Sequence, residues 1–244
     1  MNKKILTIIQ ARSGSKRFPN KMLKPVINSK TVLECILERL QSLTKRTEFY
    51  VATSKKNQDQ EIVKICEKNN IKVFCDSETN VLQRFYRLSQ KIEDAKIVVR
   101  LCADSPFHDT DIVNKGIDFF LKNNYDYISN LDFRNYPLGT MVEVMTKKAL
   151  TMAYQNATLD FEKEHVTPYI RNNTNQFNIG HFSNEIDLFH HRWTLDYEED
   201  YKMMCEVYKE LYPKNPNFKM MDVVKLLDNR PDIYEITAHL PRDK

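Results

Sequence analysis

The chain opens on a short apolar run, Ile5-Leu6-Thr7-Ile8-Ile9, which ends at Gln10. A β-branched stretch of this length predicts a strand buried on both faces. Similar runs recur at Glu48–Thr53, Ile71–Cys75, Lys96–Leu101 and Tyr125–Asn130. Between them lie stretches with helical spacing. Thr31–Leu40 places apolar residues at 32, 33, 36, 37 and 40, one face of a helix. Asp59–Asn69, Val81 to about Glu93 and Asp109 to about Lys122 read the same way. Strand and helix alternate, which predicts an α/β fold on a mostly parallel sheet with right-handed crossovers. Ligands of such sheets gather at the carboxyl ends of the strands, so loops 10–21, 53–58, 76–80 and 102–106 are expected to meet.

Beyond Asn130 the alternation becomes irregular. Tyr136-Pro-Leu-Gly139 reads as a turn, Met141–Met145 as a strand, 147–156 and 161–171 as helices, and Phe177–Phe182 and His191–Leu195 as strands. Helices at Glu198–Tyr212 and Met221–Asn229 close the chain. No repeat, linker or low-complexity tract interrupts it, so one domain spanning 1–244 is expected, with 131–190 as an arm for a second substrate.

Composition narrows the classes. The 244 residues suffice to bury a sizeable core, and 41% hydrophobic with 29% charged residues is ordinary for a soluble protein. A net charge of +4 argues against nucleic acid as a partner. No apolar run approaches a membrane span, and Lys3-Lys4 leads directly into the first strand without a signal-peptide core, so a cytoplasmic protein is expected. The five cysteines, at 35, 66, 75, 102 and 205, are scattered and form no C-x-x-C, which suits reduced thiols better than disulfides or zinc.

The chemistry concentrates in the loop after the first strand. Arg12, Lys16, Arg17 and Lys21 surround Gly14, between Ser13 and Ser15, and Pro19 stiffens the loop. Small residues let backbone N–H groups approach an anion while the cations neutralise it. A solvated basic loop has the same composition, but its place at the end of a buried strand favours phosphate binding. There is no Gly-Lys-Ser/Thr, so it is not a Walker A loop. Asp104, in RLCADSP, follows the fourth strand and reads either as a loop cap or as a carboxylate facing the cationic loop, with small Ala103 and Ser105 beside it. Asp196 precedes Glu198-Glu199-Asp200 and reads on spacing as a helix cap. Arg100 and Arg192 each stand four residues before one of these aspartates, so a local ion pair is an alternative for both. An ion pair predicts lost stability when the aspartate is neutralised, and a shared metal site predicts relief of repulsion. Asp109 and Asp111 form a D-x-D at a helix start.

The string QARSGSKRFPNKMLKP resembles the Q-A-R-x-x-S-x-R-x-P-x-K-x-L-x-P signature of the cytidylyltransferase superfamily, which includes the CMP-KDO and CMP-sialic acid synthetases. RLCADSP, EHVTPYIR and RWTLDYEEDY extend the resemblance over nearly the whole chain, towards the spore coat polysaccharide biosynthesis protein F (SpsF) group. It implies a Rossmann-like nucleotide-diphospho-sugar transferase fold and a homodimer. It also implies a CTP-dependent nucleotidyltransferase that activates a sugar-like, acidic or phosphorylated acceptor for surface polysaccharide and releases pyrophosphate. Arg12 and Lys21 then clamp the triphosphate, and Asp104 and Asp196 hold Mg²⁺. Gln10, Ala11, Ser13, Gly14, Ser77 and Ala103 complete the nucleotide side, and Asn130, Glu143, Glu164, His165 and Arg171 the acceptor side; Arg84, in VLQRFY after the 76–80 loop, reads either as a cation that reaches the base or phosphates or as a surface helix cation. Two departures stand out. Tyr197-Glu198 replaces a common Thr-Pro, and Met141 replaces a usual Asp able to bind hydroxyls or an amine. The rivals are a metal-dependent glycosyltransferase using Asp109 and Asp111, and a nucleotide-binding protein without catalysis.

Overall fold

The computed structural model describes residues 4–242. Lys3, read above as leading into the first strand, lies outside the described residues. In chain order, β1 (Lys4–Gln10) is followed by a small hairpin, β2 (Pro25–Ile27) and β3 (Lys30–Thr31). Then come α1 (Val32–Leu40), β4 (Glu48–Ser54), α2 (Gln60–Lys68), β5 (Lys72–Asp76), α3 (Val81–Lys91), β6 (Ala95–Cys102) and α4 (Thr110–Lys122). The irregular stretch supplies β7 (Tyr127–Ser129), β8 (Glu143–Thr146), α5 (Lys147–Asn156), α6 (Asp160–His165), α7 (Pro168–Asn172) and β9 (Ile179–His181). Helices α8 (Glu198–Leu211), α9 (Met220–Asn229) and α10 (Pro231–Ala238) follow.

Seven strands form one sheet in the order β5-β4-β1-β6-β8-β7-β9. The first four are mutually parallel, as the alternation predicts, and β8 runs antiparallel to both β6 and β7. Gln10 is in register with Ala52 and Cys102, and Ser54 with Asp76, so the loops after β1, β4, β5 and β6 leave from one edge. Alternate side chains of β1 enter different cores. Ile5 and Ile9 pack with α1, α4, α8 and α9, and Leu6 and Ile8 pack with α3, α5 and α7. This two-sided burial fixes the register, because a slip of one residue would exchange the two sets. Among the described residues no helix is long and apolar enough to cross a membrane. All five cysteines are free, and burial pushes the thiols of Cys35 and Cys66 up to about 12.

Three sequence expectations change, and two elements are added. The helix read over 161–171 is two helices, broken at Val166, whose φ of 72° is left-handed. Pro168 offers no N–H to continue α6. The stretch 191–195 makes a single parallel bridge, Leu138 to Arg192, rather than a strand ladder. The strand read from Met141 begins at Glu143, and the hairpin β2–β3 and helix α10 had no periodic signal long enough to read.

Arg100 from β6 and Glu143 from β8 form a buried ion pair, 7% and 2% exposed at their side chains. The Tyr127 and Thr167 hydroxyls each donate to Glu143 Oε1 at 2.6 Å. Burial opposes the charge on Glu143, but Arg100 and the two hydroxyls outweigh it and hold the carboxyl below its usual value. Its stabilising effect is therefore complete above the ordinary Glu value of about 4.3 and is lost as pH falls through the depressed folded value. Glu143→Ala, which strands Arg100 in the core, is expected to cost about 3–5 kcal/mol in urea unfolding at neutral pH. The difference from wild type should narrow below about pH 4.

Candidate active site

The loop leaving β1 is tied down before it reaches solvent. The Ser13 carbonyl accepts the Ser15 and Asn20 N–H groups at 2.8 and 3.2 Å, and Asn20 takes the left-handed conformation (φ 55°). This turn starts the 3-10 turn Lys21–Leu23 and directs Lys21 inward. The Lys21 ammonium is buried, donates to the Leu195 carbonyl, and lies 3.3 Å from Asp196 Oδ1. Arg17 reaches the same carboxylate at 3.0 Å and lies over the Tyr197 ring. Burial works against the Arg17 charge, but Asp196, Tyr197 and Asp104 outweigh it and hold the guanidinium above its usual value.

Asp104 and Asp196 are brought together by the backbone. The Leu195 N–H donates to the Asp104 carbonyl at 2.8 Å, and the Trp193 N–H donates to the Leu138 carbonyl at 2.7 Å. Segment 193–196 thus lies between the tip of β6 and the turn at 136–139. Gly139, at φ 103°, makes that approach possible. A Cβ there would sit 2.6 Å from the Trp193 carbonyl carbon and oxygen and 2.9 Å from the Thr194 nitrogen. Neither local ion pair dominates. Arg100 serves Glu143, and Arg192 makes a two-pronged bond to Asp200 at 3.0 Å while standing 3.7 Å from Asp196. Asp200 also accepts the N–H groups of Asp196 and Tyr197, fixing the start of α8. Relief of carboxylate repulsion is therefore not the expectation for Asp196→Asn, because Arg17, Lys21 and Arg192 surround that group.

Among the described residues no group of three or more His, Cys, Asp or Glu side chains could hold a metal ion by itself. Two neighbouring hard carboxylates fit Mg²⁺ in the way it commonly binds, with one or two protein ligands and the remaining positions left to phosphate oxygens and water.

On the nucleotide side, several expected contacts prove to be scaffolding. The Gln10 side chain accepts from Arg100 at 3.2 Å, and its carbonyl accepts the Ala103 N–H. Ala11 gives its N–H to Ala52, and Ser13, 2% exposed, gives its own to the buried Asp59 at 2.7 Å. The Ser77 hydroxyl accepts the Asn80 N–H at 3.0 Å in the turn before α3. Gly14 stays at the mouth, beneath Gln58 and Glu78, which are hydrogen-bonded at 3.3 Å. Beside them a cavity of about 270 Å³ is lined by Lys55, Lys56, Asp76, Ser77, Glu78 and Gln83.

Arg84 is the unusual member. It is 1% exposed, and its Nε and Nη1 find no hydrogen-bond partner among the described residues. Burial and then Arg12 push its guanidinium down to about 10, opposed by Asp59 and Asp76. A buried cation with unmet donors is costly and marks a place shaped for more than packing.

The acceptor-side residues divide. Glu164 meets Arg12 at 2.9 Å across the cleft, His165 lies against Phe161, and Arg171 pairs with Asp132 at 3.3 Å. Asn130 and Glu143 do not face a ligand. Asn130 is 3% exposed, donates to the Thr140 carbonyl and accepts the Val142 N–H, while Glu143 belongs to the buried Arg100 network. Both assignments are corrected to structural ones. Residues the sequence reading passed over are Arg17, Asp59 and Asp132. Arg17 was visible as one of the loop cations, Asp59 looked like an ordinary helix start, and Asp132 had no motif. The rival D-x-D is engaged elsewhere. Asp109 caps α4, accepts the Met220 N–H at 2.8 Å and pairs with Lys219. It lines a larger cavity, about 710 Å³, with Arg39, Lys45 and Phe218, away from Arg12 and Lys21.

A mostly parallel sheet in this strand order, with a cationic loop after β1 and paired aspartates at the same edge, defines a nucleotide-diphospho-sugar transferase fold. A family model described as cytidylyltransferase matches residues 6–229, and the chain belongs to that family and is a cytidylyltransferase. It is 36% identical over 239 residues to the uncharacterized protein MJ1063 of Methanocaldococcus jannaschii, covering 97% of this chain and 96% of that one. It is 31% identical over 236 residues to the spore coat polysaccharide biosynthesis protein SpsF of Bacillus subtilis, covering 93% and 95% of the two chains. A solved cytidylyltransferase from Leptospira borgpetersenii superposes with a TM-score of 0.90 at 29% identity, covering 96% of this chain and 97% of that one.

Gly139→Ala tests the join between the turn and segment 193–196. Left-handed backbone alone costs about 1–2 kcal/mol for a side-chain-bearing residue, and the contact with rigid backbone adds to it. A melting temperature lowered by several degrees is expected, with activity reduced beyond what the remaining folded fraction explains.

Proposed function

We propose that this protein transfers a cytidylyl group from CTP, with Mg²⁺, to an oxygen of a sugar-like acceptor that carries an acidic or phosphate group, and that it serves surface polysaccharide synthesis. The supporting observation is the cluster at the tip of β6, where Lys21 and Arg17 converge on Asp196 and the Asp196 segment is bonded to Asp104. The name of the SpsF relative supports the polysaccharide setting.

In this reading Arg12, Arg17 and Lys21 neutralise the triphosphate. The Gly14 and Lys16 N–H groups, which make no hydrogen bond to the described residues, are available to its oxygens. The cations that hold Asp196 then have a more highly charged partner, and Asp104 and Asp196 are freed to hold Mg²⁺. Bound there, the ion would supply charge neutralisation and alignment of the phosphates. Glu164, released by Arg12, faces the acceptor together with His165 and Arg171. The acceptor oxygen forms a bond to the α-phosphorus, the bond to the β-phosphate oxygen breaks, pyrophosphate leaves, and the acceptor proton passes to solvent. A metal-dependent glycosyltransferase reading is not favoured, because Asp109 is engaged with Met220 and Lys219.

Pyrophosphate release with CTP against ATP, GTP and UTP, over a panel of sugar phosphates and acidic sugars, tests the reading. Lys21→Ala, Asp104→Asn and Asp196→Asn are each expected to lower turnover by roughly 10²–10³, the scale of losing one charge-stabilising group. The two aspartate changes should not add, because they disable one site. Near-normal turnover in either aspartate variant excludes the shared site. We also propose a homodimer through 131–190, supported by Leu159 and Phe161, which stay 61% and 60% exposed. Light scattering should give twice the chain mass at micromolar concentration, and a monomer overturns that proposal.

A further inference from the structure

Asp59 is a buried carboxylate that the proposed chemistry leaves without a task. It is 0% exposed and stands where α2 begins, a position at which Asp usually caps the helix, yet it makes no cap hydrogen bond. Its oxygens point instead to two other loops. Oδ1 accepts the Ser13 N–H at 2.7 Å, and Oδ2 takes the Ser54 hydroxyl at the end of β4. The Ser54 oxygen in turn accepts the Lys56 N–H at 3.1 Å.

Ser13 is the pivot of the cationic loop. Its carbonyl holds the Ser15 and Asn20 N–H groups, so the residue whose N–H Asp59 holds also anchors the turn that sets the path from Arg12 to Lys21. A neutral cap would satisfy the Ser13 N–H more weakly, because hydrogen bonds to an ionised group are about twice as strong as neutral ones. Asp59 is also one of two carboxylates acting on Arg84, whose Nε and Nη1 lack partners among the described residues.

We propose that Asp59 is the positioning residue of the nucleotide site. Its carboxylate locks the Ser13 peptide so that the Arg12 side chain and the Gly14 and Lys16 N–H groups are presented together to the triphosphate. This rests on the reading of the loop as a CTP site.

Two measurements on the full-length protein test it: calorimetric binding of CTP with Mg²⁺, and amide hydrogen exchange without ligand. Asp59→Ala is expected to weaken CTP binding about tenfold to a hundredfold, the worth of a hydrogen bond to a charged group. Asp59→Asn keeps an oxygen for the Ser13 N–H and should recover roughly half of that loss on a logarithmic scale, the share a neutral acceptor retains. Exchange in Asp59→Ala should quicken over residues 12–20 and not across β1, β4 and β6. If Asp59→Ala does not fold, Ser54→Ala, which removes the hydroxyl holding Oδ2 and with it the acceptor of the Lys56 N–H, should weaken CTP binding in the same direction to a smaller extent. Wild-type CTP affinity in a folded Asp59→Ala, or faster exchange spread evenly through the sheet, overturns the inference. If the wild-type protein binds no CTP while exchange over 12–20 still responds to Asp59, the CTP reading falls and the hold of Asp59 on the loop stands.

Discussion

The hydrogen bond from the Leu195 N–H to the Asp104 carbonyl joins the tip of β6 to the segment before α8. Almost everything at the site depends on that join. It places Asp196 where Lys21 and Arg17 can reach it, and it lets the Leu195 carbonyl accept the Lys21 ammonium. The join needs the close packing at Gly139, because Trp193 must press against that backbone for Leu195 to arrive at Asp104. A glycine, a peptide hydrogen bond and a buried lysine thus form one mechanical unit, with none of the three sufficient alone.

The electrostatic character of the site follows from how its cations are spent. Lys21, Arg17 and Arg192 share anions at the α8 end, where Asp196 and Asp200 are both almost fully buried. Arg84, by contrast, is sunk beneath the opposite side of the cleft with unmet donors. Unequal compensation of this kind costs folding stability and leaves positive potential on that side of the cleft. Arg12 sits between the two regimes, held in an exposed ion pair with Glu164. Such a pair contributes little to stability and is easily exchanged for a better anion.

Much of the sheet was legible in the sequence, because β1, β4, β5 and β6 are continuous apolar runs separated by helices with one-sided spacing. The cationic loop and Asp104 were legible for the same reason, since each follows a buried strand at the ligand-binding edge. The second half resisted. β8 is four residues long and antiparallel, and its Glu143 faces a core, where a carboxylate looks from sequence like a ligand. Val166 in the left-handed region has no signature, because β-branched residues rarely adopt it. Asp59 was read as a helix start since nothing local reveals that its partners are Ser13 and Ser54. The pattern is physical: periodicity reports which face of an element is buried, and it is silent on which distant backbone group a buried polar side chain will serve.

The span between Lys21 and Leu195, 174 positions, has a consequence for how the chain acquires its structure. During synthesis β1, β4, β5 and β6 emerge before β7, β8 and β9 and can pair with one another, so four of the seven strands are available before the segment around Leu195 is made. The Lys21 ammonium meets its buried partners only once Leu195 and Asp196 have been made. Contacts this remote in sequence slow folding, because the entropy of closing the loop is lost before any of it is returned. The nascent protein therefore carries an unsatisfied ammonium beside β1 and finds the matching carbonyl only after the segment before α8 has been made.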